Sequence, residues 1–423
     1  MNYIGKWGLL KKIFFIPALL IALALCGYLM LVMVYALPTE RMQKNMEDSV
    51  AIFESEGNYN RLMKHNNSQL DNYTDGIMLL TASHPRTGNV WQAAINAERY
   101  RTAPTPAETI IGVYGSEGET MDLKTTTYAR YWHGYLLLLK PLLFLFDYGQ
   151  IREVMMFTQI FLFSAILLLL SKKNNKMILP FFVFWIFLNP VTTMLSLQFN
   201  TVLIISFLAV LFILLLEKRI ESEDMFSWGI FFLIVGAITS YFDLLTYPLV
   251  TLGVPLVLWI SLNIQEKLMS NLRKIVGFSM FWGIGYGGLW GLKWLIGDLI
   301  TGKSVLSDAV EQVVYRTSDT VSDKVITFSK LLHELLSSMR QYTWMLLVLM
   351  IGIYFVWQIV KTKKVKVNMI LTYAAIGTFP FIWFYVLKNH SFGHYWFTYR
   401  ELAITVFAAV SCMMLHGEEN KNG

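Results

Sequence analysis

An all-α, polytopic membrane helix bundle, with about ten spanning helices and a large outer loop after the first of them, is the fold class this sequence predicts. Three observations lead there. The 423-residue chain is 55% hydrophobic and 15% charged, with a mean hydropathy of +0.48, well to the apolar side of an ordinary globular protein. Several apolar runs exceed the ~18 residues that mark a candidate spanning helix, given a hydrocarbon core of about 30 Å. The runs are also unevenly placed. One ends near Leu37, a polar stretch fills most of 38–150, and from Ile151 onward hydrophobic segments follow one another almost without a break.

Lys6, Lys11 and Lys12 precede the first apolar run, 13–37. It is longer than the roughly 7–15 residues of a signal-peptide core, so it is expected to be a retained helix entering from a cytoplasmic N-terminus at 1–12. The polar stretch 38–150 is then outside. Within it, Met42, Met46, Val50 and Phe53 fall on one helical face amid charged residues. That pattern suits a helix lying in the membrane interface or one seated in a groove of the same protein. The segment 134–146 is strongly apolar but short, and it contains Lys140 and Pro141, which suits an interfacial helix. Arg130 to Gly134 opens that helix and Arg152 closes it. Spans near 151–171, 177–195, 199–216, 225–243, 245–263, 275–297, 342–360, 368–388 and 397–415 then alternate. The links assigned to the cytoplasm carry Lys172, Lys173, Lys176, Lys218, Arg219, Lys267, Arg273, Lys274 and Lys361 to Lys366. This distribution obeys the positive-inside rule. The domain plan is a spanning bundle at 151–298, a second outer segment at 299–341 that packs beside the first loop, last spans within 342–415, and a cytoplasmic tail at 416–423.

A net charge of +6 in such a chain reports topology rather than nucleic-acid binding. The two cysteines, Cys26 and Cys412, each lie inside an apolar run, so no disulfide or thiolate metal site is suggested.

Candidate chemistry lies at the expected outer face. Asp71 and Asp75 are four residues apart in LDNYTDGIMLL, and Gly76 suggests a turn there. A partly desolvated carboxylate near the membrane surface suits a general base, although a helix cap or a solvated loop edge would use the same residues. Asp243 stands alone in an almost wholly apolar stretch, where it either caps the next helix or binds a ligand. The link before the last span, NHSFGHYWFTYR, gathers His390, His394, Tyr399 and Arg400. These could bind a phosphate at the membrane surface, with Arg400 offering a bidentate fork, or simply anchor the interface. His390 and His394 also have the spacing of a metal pair, without a third ligand nearby. Arg130 and His133 open the interfacial helix, and Lys293 lies near the outer end of its span, either snorkelling or facing a cavity. Gly283, Gly285 and Gly288 spell G-x-G-x-x-G inside an apolar span with no strand before them, which points to close helix packing, not a dinucleotide. No motif demands a cofactor; a divalent metal is the one candidate.

The order of first helix, large acidic outer loop with interfacial helices, and further spans resembles the C superfamily of membrane glycosyltransferases (GT-C). This superfamily includes protein mannosyltransferases, oligosaccharyltransferases and aminoarabinose transferases. The segment LLFLFDYGQIR, 142–152, looks similar to an apolar interfacial helix followed by Phe-Gly and a downstream arginine, which is frequent in that superfamily. The resemblance implies that Asp75, with Asp71 second, acts on the acceptor, and that Lys293, His390, His394 and Arg400 hold a lipid phosphate. The acidic motif here is Asp-x-x-x-Asp, where many members have a tighter pair. The chain also looks like uncharacterised membrane proteins of Gram-positive bacteria that share RYWHGY, GYxxxWxxKW and NHSxxHxxFxYR.

The expectation is therefore a multi-pass glycosyltransferase of a bacterial plasma membrane, with both termini cytoplasmic. It would move a sugar from a polyprenyl-phosphate donor to a glycan or lipid acceptor of the cell envelope. Membrane lipid is an implied partner; nucleic acid is not. Two rival functions are a transporter or flippase for lipid-linked sugars and a non-catalytic partner in polysaccharide assembly. The outer placement of the polar residues and the lack of a visible repeat favour the enzyme over a transporter.

Overall fold

The computed structural model describes residues 8–115, 122–321, 324–338 and 366–416, with a few positions between 350 and 357. Most of the predicted span at 342–360, the first part of 1–12 and nearly all of 416–423 lie outside the described residues.

The chain is predominantly helical. Among the described residues seven helical segments are long and apolar enough to cross a membrane: Leu10–Tyr35, Tyr148–Lys173, Leu197–Leu216, Met225–Phe242, Leu268–Thr301, Val367–Val386 and Tyr395–Leu415. In chain order, α1 (Leu9–Tyr35) is followed by six short helices of the polar segment: α2 (Glu40–Glu47), α3 (Val50–Glu56), α4 (Asn72–Ser83), α5 (Val90–Asn96), α6 (Pro106–Tyr114) and α7 (Leu136–Leu145). The bundle follows as α8 (Tyr148–Lys173), α9 (Ile178–Phe187), α10 (Pro190–Leu195), α11 (Leu197–Leu216), α12 (Met225–Phe242), α13 (Val250–Asn263) and α14 (Leu268–Thr301). Next come α15 (Val305–Thr317) and α16 (Phe328–Ser337), then α17 (Val367–Gly377), α18 (Phe379–Val386), α19 (Lys388–Gly393), α20 (Tyr395–Thr398) and α21 (Ala403–His416).

Local rules explain where the expected spans break. The apolar run 177–195 is two helices, because Pro190 lacks an amide hydrogen and disfavours a helical residue before it; Asn189 turns to φ 58°. The run 245–263 becomes helical only at Val250, because Asp243 to Tyr247 form a tight turn in which Leu245 has φ 69°. At Gly76 the expected turn is absent. The helix α4 runs straight through it, and the glycine is there for packing: a Cβ would lie 2.9 Å from the Pro106 Cβ of α6. The helix expected to be interfacial also has different limits from those expected. It begins at Leu136, after Arg130–Gly134, and Arg152 belongs to the next helix, α8.

Among the described residues two hydrophobic cores result. One fills the bundle of α8, α9, α11–α14, α17 and α21. The other lies under the polar segment and joins α1–α7 to Tyr241 of α12 and Leu289 of α14. Met42, Met46, Val50 and Phe53 are all buried in it, so of the two readings of that stripe the groove within the protein is the one realised. The stripe is carried by two helices, α2 and α3, with a break at Asp48–Ser49. The second segment does pack beside the first, where Arg130 pairs with Asp308 of α15 at 3.0 Å.

The tightest helix pair is α12 with α14, and two glycines permit it. A Cβ on Gly236 would lie 2.1 Å from the Trp282 carbonyl oxygen, and one on Gly285 would lie 2.0 Å from that of Leu233. Both obstacles are backbone, so neither can step aside. Gly285→Ala is expected to push the helices apart and cost about 1–3 kcal/mol. An unchanged melting temperature for the purified variant would overturn this account of the pair.

Candidate functional site

The polar segment meets the bundle through side chains that sit on helix ends. Asp75, on the first turn of α4, is fully buried and directed at the N-terminus of α11. Its carboxylate accepts from the Leu197 amide at 2.8 Å, the Gln198 amide at 3.1 Å, the Ser196 hydroxyl at 3.3 Å and the Tyr148 hydroxyl at 2.8 Å. Two of these donors are amides that an α-helix leaves without an internal partner, at its positive pole. Burial raises the Asp75 pKa, and the donors offset that in part. The counterparts are cations on C-terminal ends. Lys140 donates to Ala82 at the end of α4 at 2.6 Å, and Lys293 donates to Ile95 in the last turn of α5 at 3.2 Å. Arg400 donates through Nε to Leu188, the C-cap of α9, at 3.2 Å. Arg152 holds Glu56 through both terminal nitrogens at 2.9 and 3.0 Å and donates to Asn72 at 2.7 Å, securing α3 and α4 to α8.

Asp71 differs from Asp75. It is the N-cap of α4, with Oδ1 accepting from the Thr74 amide at 3.1 Å, while Oδ2 is buried without a hydrogen-bond partner. Burial pushes its pKa up to about 7; the Thr74 amide and Arg400 pull the other way, and Asp75 adds to the rise. Arg400 is fully buried beneath the Phe199 ring, 4.2 Å from its centroid, and its Nη1 also lacks a partner. Buried polar atoms are normally paired, so orphans are informative. Here they gather along the same stretch of the bundle: Gln198 Oε1, both amide atoms of Asn200, the Tyr399 hydroxyl and Glu401 Oε2 are in the same condition. Tyr59 and Tyr73 stack at 5.7 Å near Asp71, and Trp396 meets Tyr59 edge-on at 5.5 Å.

At the same end of the bundle is a cavity of about 320 Å³ between α14, α15, α18, the turn at Leu245 and the Arg130–Tyr131 stretch. Tyr131, Tyr286, Trp290, Trp294 and Trp383 line it, with Arg130 and Arg316 and no carboxylate in the wall. The Tyr286 hydroxyl and the Trp290 indole N–H are buried donors without partners. Arg316 is held by His390, whose Nδ1 accepts from Arg316 Nη1 at 2.8 Å. The other ring nitrogen, Nε2, therefore carries the hydrogen and donates to the Leu245 carbonyl at 2.9 Å. Burial, Arg316 and His394 hold His390 well below the usual imidazole range. Burial and Arg316 take His394 down to about 4. Both rings are thus neutral at neutral pH. The positive charge here belongs to arginine.

Hydrogen bonds connect the two regions. The Gln198 amide donates to Asp75, its Nε2 donates to Asp243 at 2.8 Å, and the Leu245 amide donates to Asp243 at 2.9 Å. Leu245 then accepts from His390, which accepts from Arg316. Asp243 caps the turn at Leu245–Thr246 instead of the next helix, and burial raises its pKa to about 6.

The structure therefore gathers Asp71, Asp75, Tyr399 and Arg400 in one buried region. It sets Asp243, His390 and Arg130 around the cavity, with His394 stacked on Phe397 and tilted against His390. Lys293 and His133 stand apart from both. Lys293 neither snorkels nor faces the cavity: it lies 5.5 Å from the Trp132 ring centroid. His133, at φ 59°, bonds to the Tyr128 carbonyl at 2.7 Å and to the Tyr135 hydroxyl at 2.9 Å, and burial lowers its pKa to about 3. Sequence reasoning missed Arg316, Trp383 and Gln198. A lone Gln at the head of an apolar span was a usable signal; Arg316, one charge among many in a mixed segment, gave none. Among the described residues no group of three His, Cys, Asp or Glu is placed to hold a metal ion. No protein-family model matches the chain, and no curated protein or solved structure does either.

Proposed function

We propose that the protein is a membrane glycosyltransferase that takes a sugar from a polyprenyl-phosphate donor and passes it to a cell-envelope glycan or lipid. In this reading the polar segment faces outward, the membrane is a bacterial plasma membrane, and both termini are cytoplasmic. The observation that carries it is the cavity wall. Two guanidinium groups suit a phosphate, whose bidentate recognition is an arginine property. Trp290, Trp294 and Trp383 offer flat apolar faces to a sugar ring or an isoprene unit, and the buried Tyr286 and Trp290 donors suit hydroxyl oxygens.

The site residues take these roles. Arg316, oriented by His390, and Arg130, tied to Asp308, stabilise the departing phosphate as its negative charge grows. Asp71, whose free and weakly acidic carboxyl oxygen lies in the adjoining buried region and not in the cavity wall, takes the proton of the attacking hydroxyl once the acceptor reaches it, and the anomeric centre inverts. Asp75 is the weaker candidate base because its lone pairs are engaged. That full engagement is also the one observation favouring a non-catalytic assembly protein, in which all these charges serve to fasten helices.

The deciding experiment offers labelled short-chain polyprenyl-phosphate sugars to the protein in nanodiscs. Wild type is expected to bind and transfer. Arg316→Ala is expected to weaken donor binding by about 1.5–3 kcal/mol, the range for hydrogen bonds to charged groups. If no donor is bound or used, while the variants still complement a deletion strain, the glycosyltransferase reading fails and the assembly reading takes its place.

A further inference from the structure

A second cavity, of about 670 Å³, lies between α11 and α12. It is at the opposite end of these helices from Asp75, which caps the N-terminus of α11, since its mouth is formed by the link that follows the C-terminus. The donor site proposed above cannot extend into it without crossing the bundle.

Its walls are two apolar stripes. Ile205, Leu208, Ala209 and Phe212 recur at helical spacing on α11, and Ile230, Phe231, Ile234, Val235 and Ile238 do so on α12. Facing stripes of this kind ordinarily close on each other. Here α12 is drawn instead to α14 by the glycine contacts, and the two walls meet at Phe212 and Phe231, stacked at 4.8 Å. The groove stays open at Leu208, Phe212 and Ile238, which are 51%, 40% and 39% exposed. From Ser227 to Ile238 it is about 16 Å deep at 1.5 Å per residue, close to half of a ~30 Å hydrocarbon core. One acyl chain of one leaflet has that reach.

The mouth is charged, with Arg219, Glu221 and Asp224 beside the apolar walls. Among the described residues Arg219 and Glu221 form no ion pair, and Asp224 is engaged with the amide and hydroxyl of Ser227 at the start of α12. A cation beside two carboxylates complements a headgroup that carries both a phosphate and an ammonium. The lining's two aromatic rings, Phe212 and Phe231, stack on each other within the apolar wall and form no cage around a headgroup, so a primary ammonium is preferred to a quaternary one.

We infer that the α11–α12 groove is a binding site for one phospholipid with a primary-ammonium zwitterionic headgroup. An acyl chain lies between the helices, the phosphate meets Arg219, and the ammonium meets Glu221 and Asp224. The lipid fills the wedge left where α12 turns to α14, so it belongs to the folded bundle and is independent of the donor cavity.

The test is native mass spectrometry of the full chain released from vesicles containing equal parts of phosphatidylethanolamine, phosphatidylcholine and phosphatidylglycerol. One phosphatidylethanolamine per chain is expected to be retained. Leu208→Trp, at an exposed position in the groove wall, is expected to cut retention roughly tenfold, and Arg219→Ala to cut it severalfold. Circular dichroism melting of both variants separates loss of lipid from loss of fold, because these exposed substitutions should leave the protein helical. Equal retention of the three lipids, or retention in Leu208→Trp equal to wild type, would falsify the inference. Preferential capture of the anionic lipid would overturn the zwitterionic assignment and with it the proposal.

Discussion

Replacing Asp75 by alanine is expected to destabilise the protein by about 3–5 kcal/mol, the range for removing one partner of a buried charged network. The reason is geometric. Two α11 amides, the Ser196 hydroxyl and the Tyr148 hydroxyl all end on this fully buried carboxylate. Asparagine would keep one acceptor oxygen but turn an amide hydrogen toward a donor, so Asp75→Asn should also be destabilised, by about 1–3 kcal/mol. Both are measured by thermal unfolding in detergent. A melting temperature of Asp75→Ala within about 2 °C of wild type would show that the α11 cap contributes little. This expectation alters how an inactive Asp75 variant is to be interpreted: lost activity there reports lost structure first.

Asp71→Asn should do the opposite. Asparagine caps a helix as well as aspartate, and the Thr74 amide keeps its acceptor oxygen. Transfer is expected to fall by about 10²–10⁴-fold, the usual contribution of a general base, without loss of fold. The pH dependence supplies an independent check. With a folded pKa of about 7 against an ordinary ~3.9, the native protein binds more protons than the unfolded chain between those values. Stability therefore falls as pH rises through that window. The asparagine variant lacks this loss, so it should melt at or above wild type at pH 8 and show a flatter profile. Parallel profiles for the two proteins would remove the raised carboxyl, and full transfer activity in Asp71→Asn would remove the base.

The contrast between these neighbours shows what one dimension conceals. Four residues apart on one helix, Asp71 and Asp75 are equivalent in sequence, yet the environment leaves one oxygen free and saturates the other carboxylate. What separates them is Leu197 and Gln198, more than a hundred residues away. His390 and Arg400 teach the same lesson. Both resemble phosphate ligands in the string NHSFGHYWFTYR, but His390 is a neutral ring that orients Arg316, and Arg400 donates to the end of α9. Arg316 shares the charge at the cavity with Arg130, and nothing in its own neighbourhood announces that.

By itself the sequence determined the class and most of the helices, because membrane-length apolar runs, proline breaks and glycine contacts are written in local composition. It also placed the polar segment and the acidic motif. Tertiary structure decided which charge meets which helix end, that the Met42–Phe53 stripe is covered by protein, and where the cavities open. The physical reason is that a helix terminus accepts any suitably charged side chain within reach. Reach is set by the packing of helices such as α12 on α14, and contacts between residues 58 to 198 positions apart leave no periodic trace along the chain.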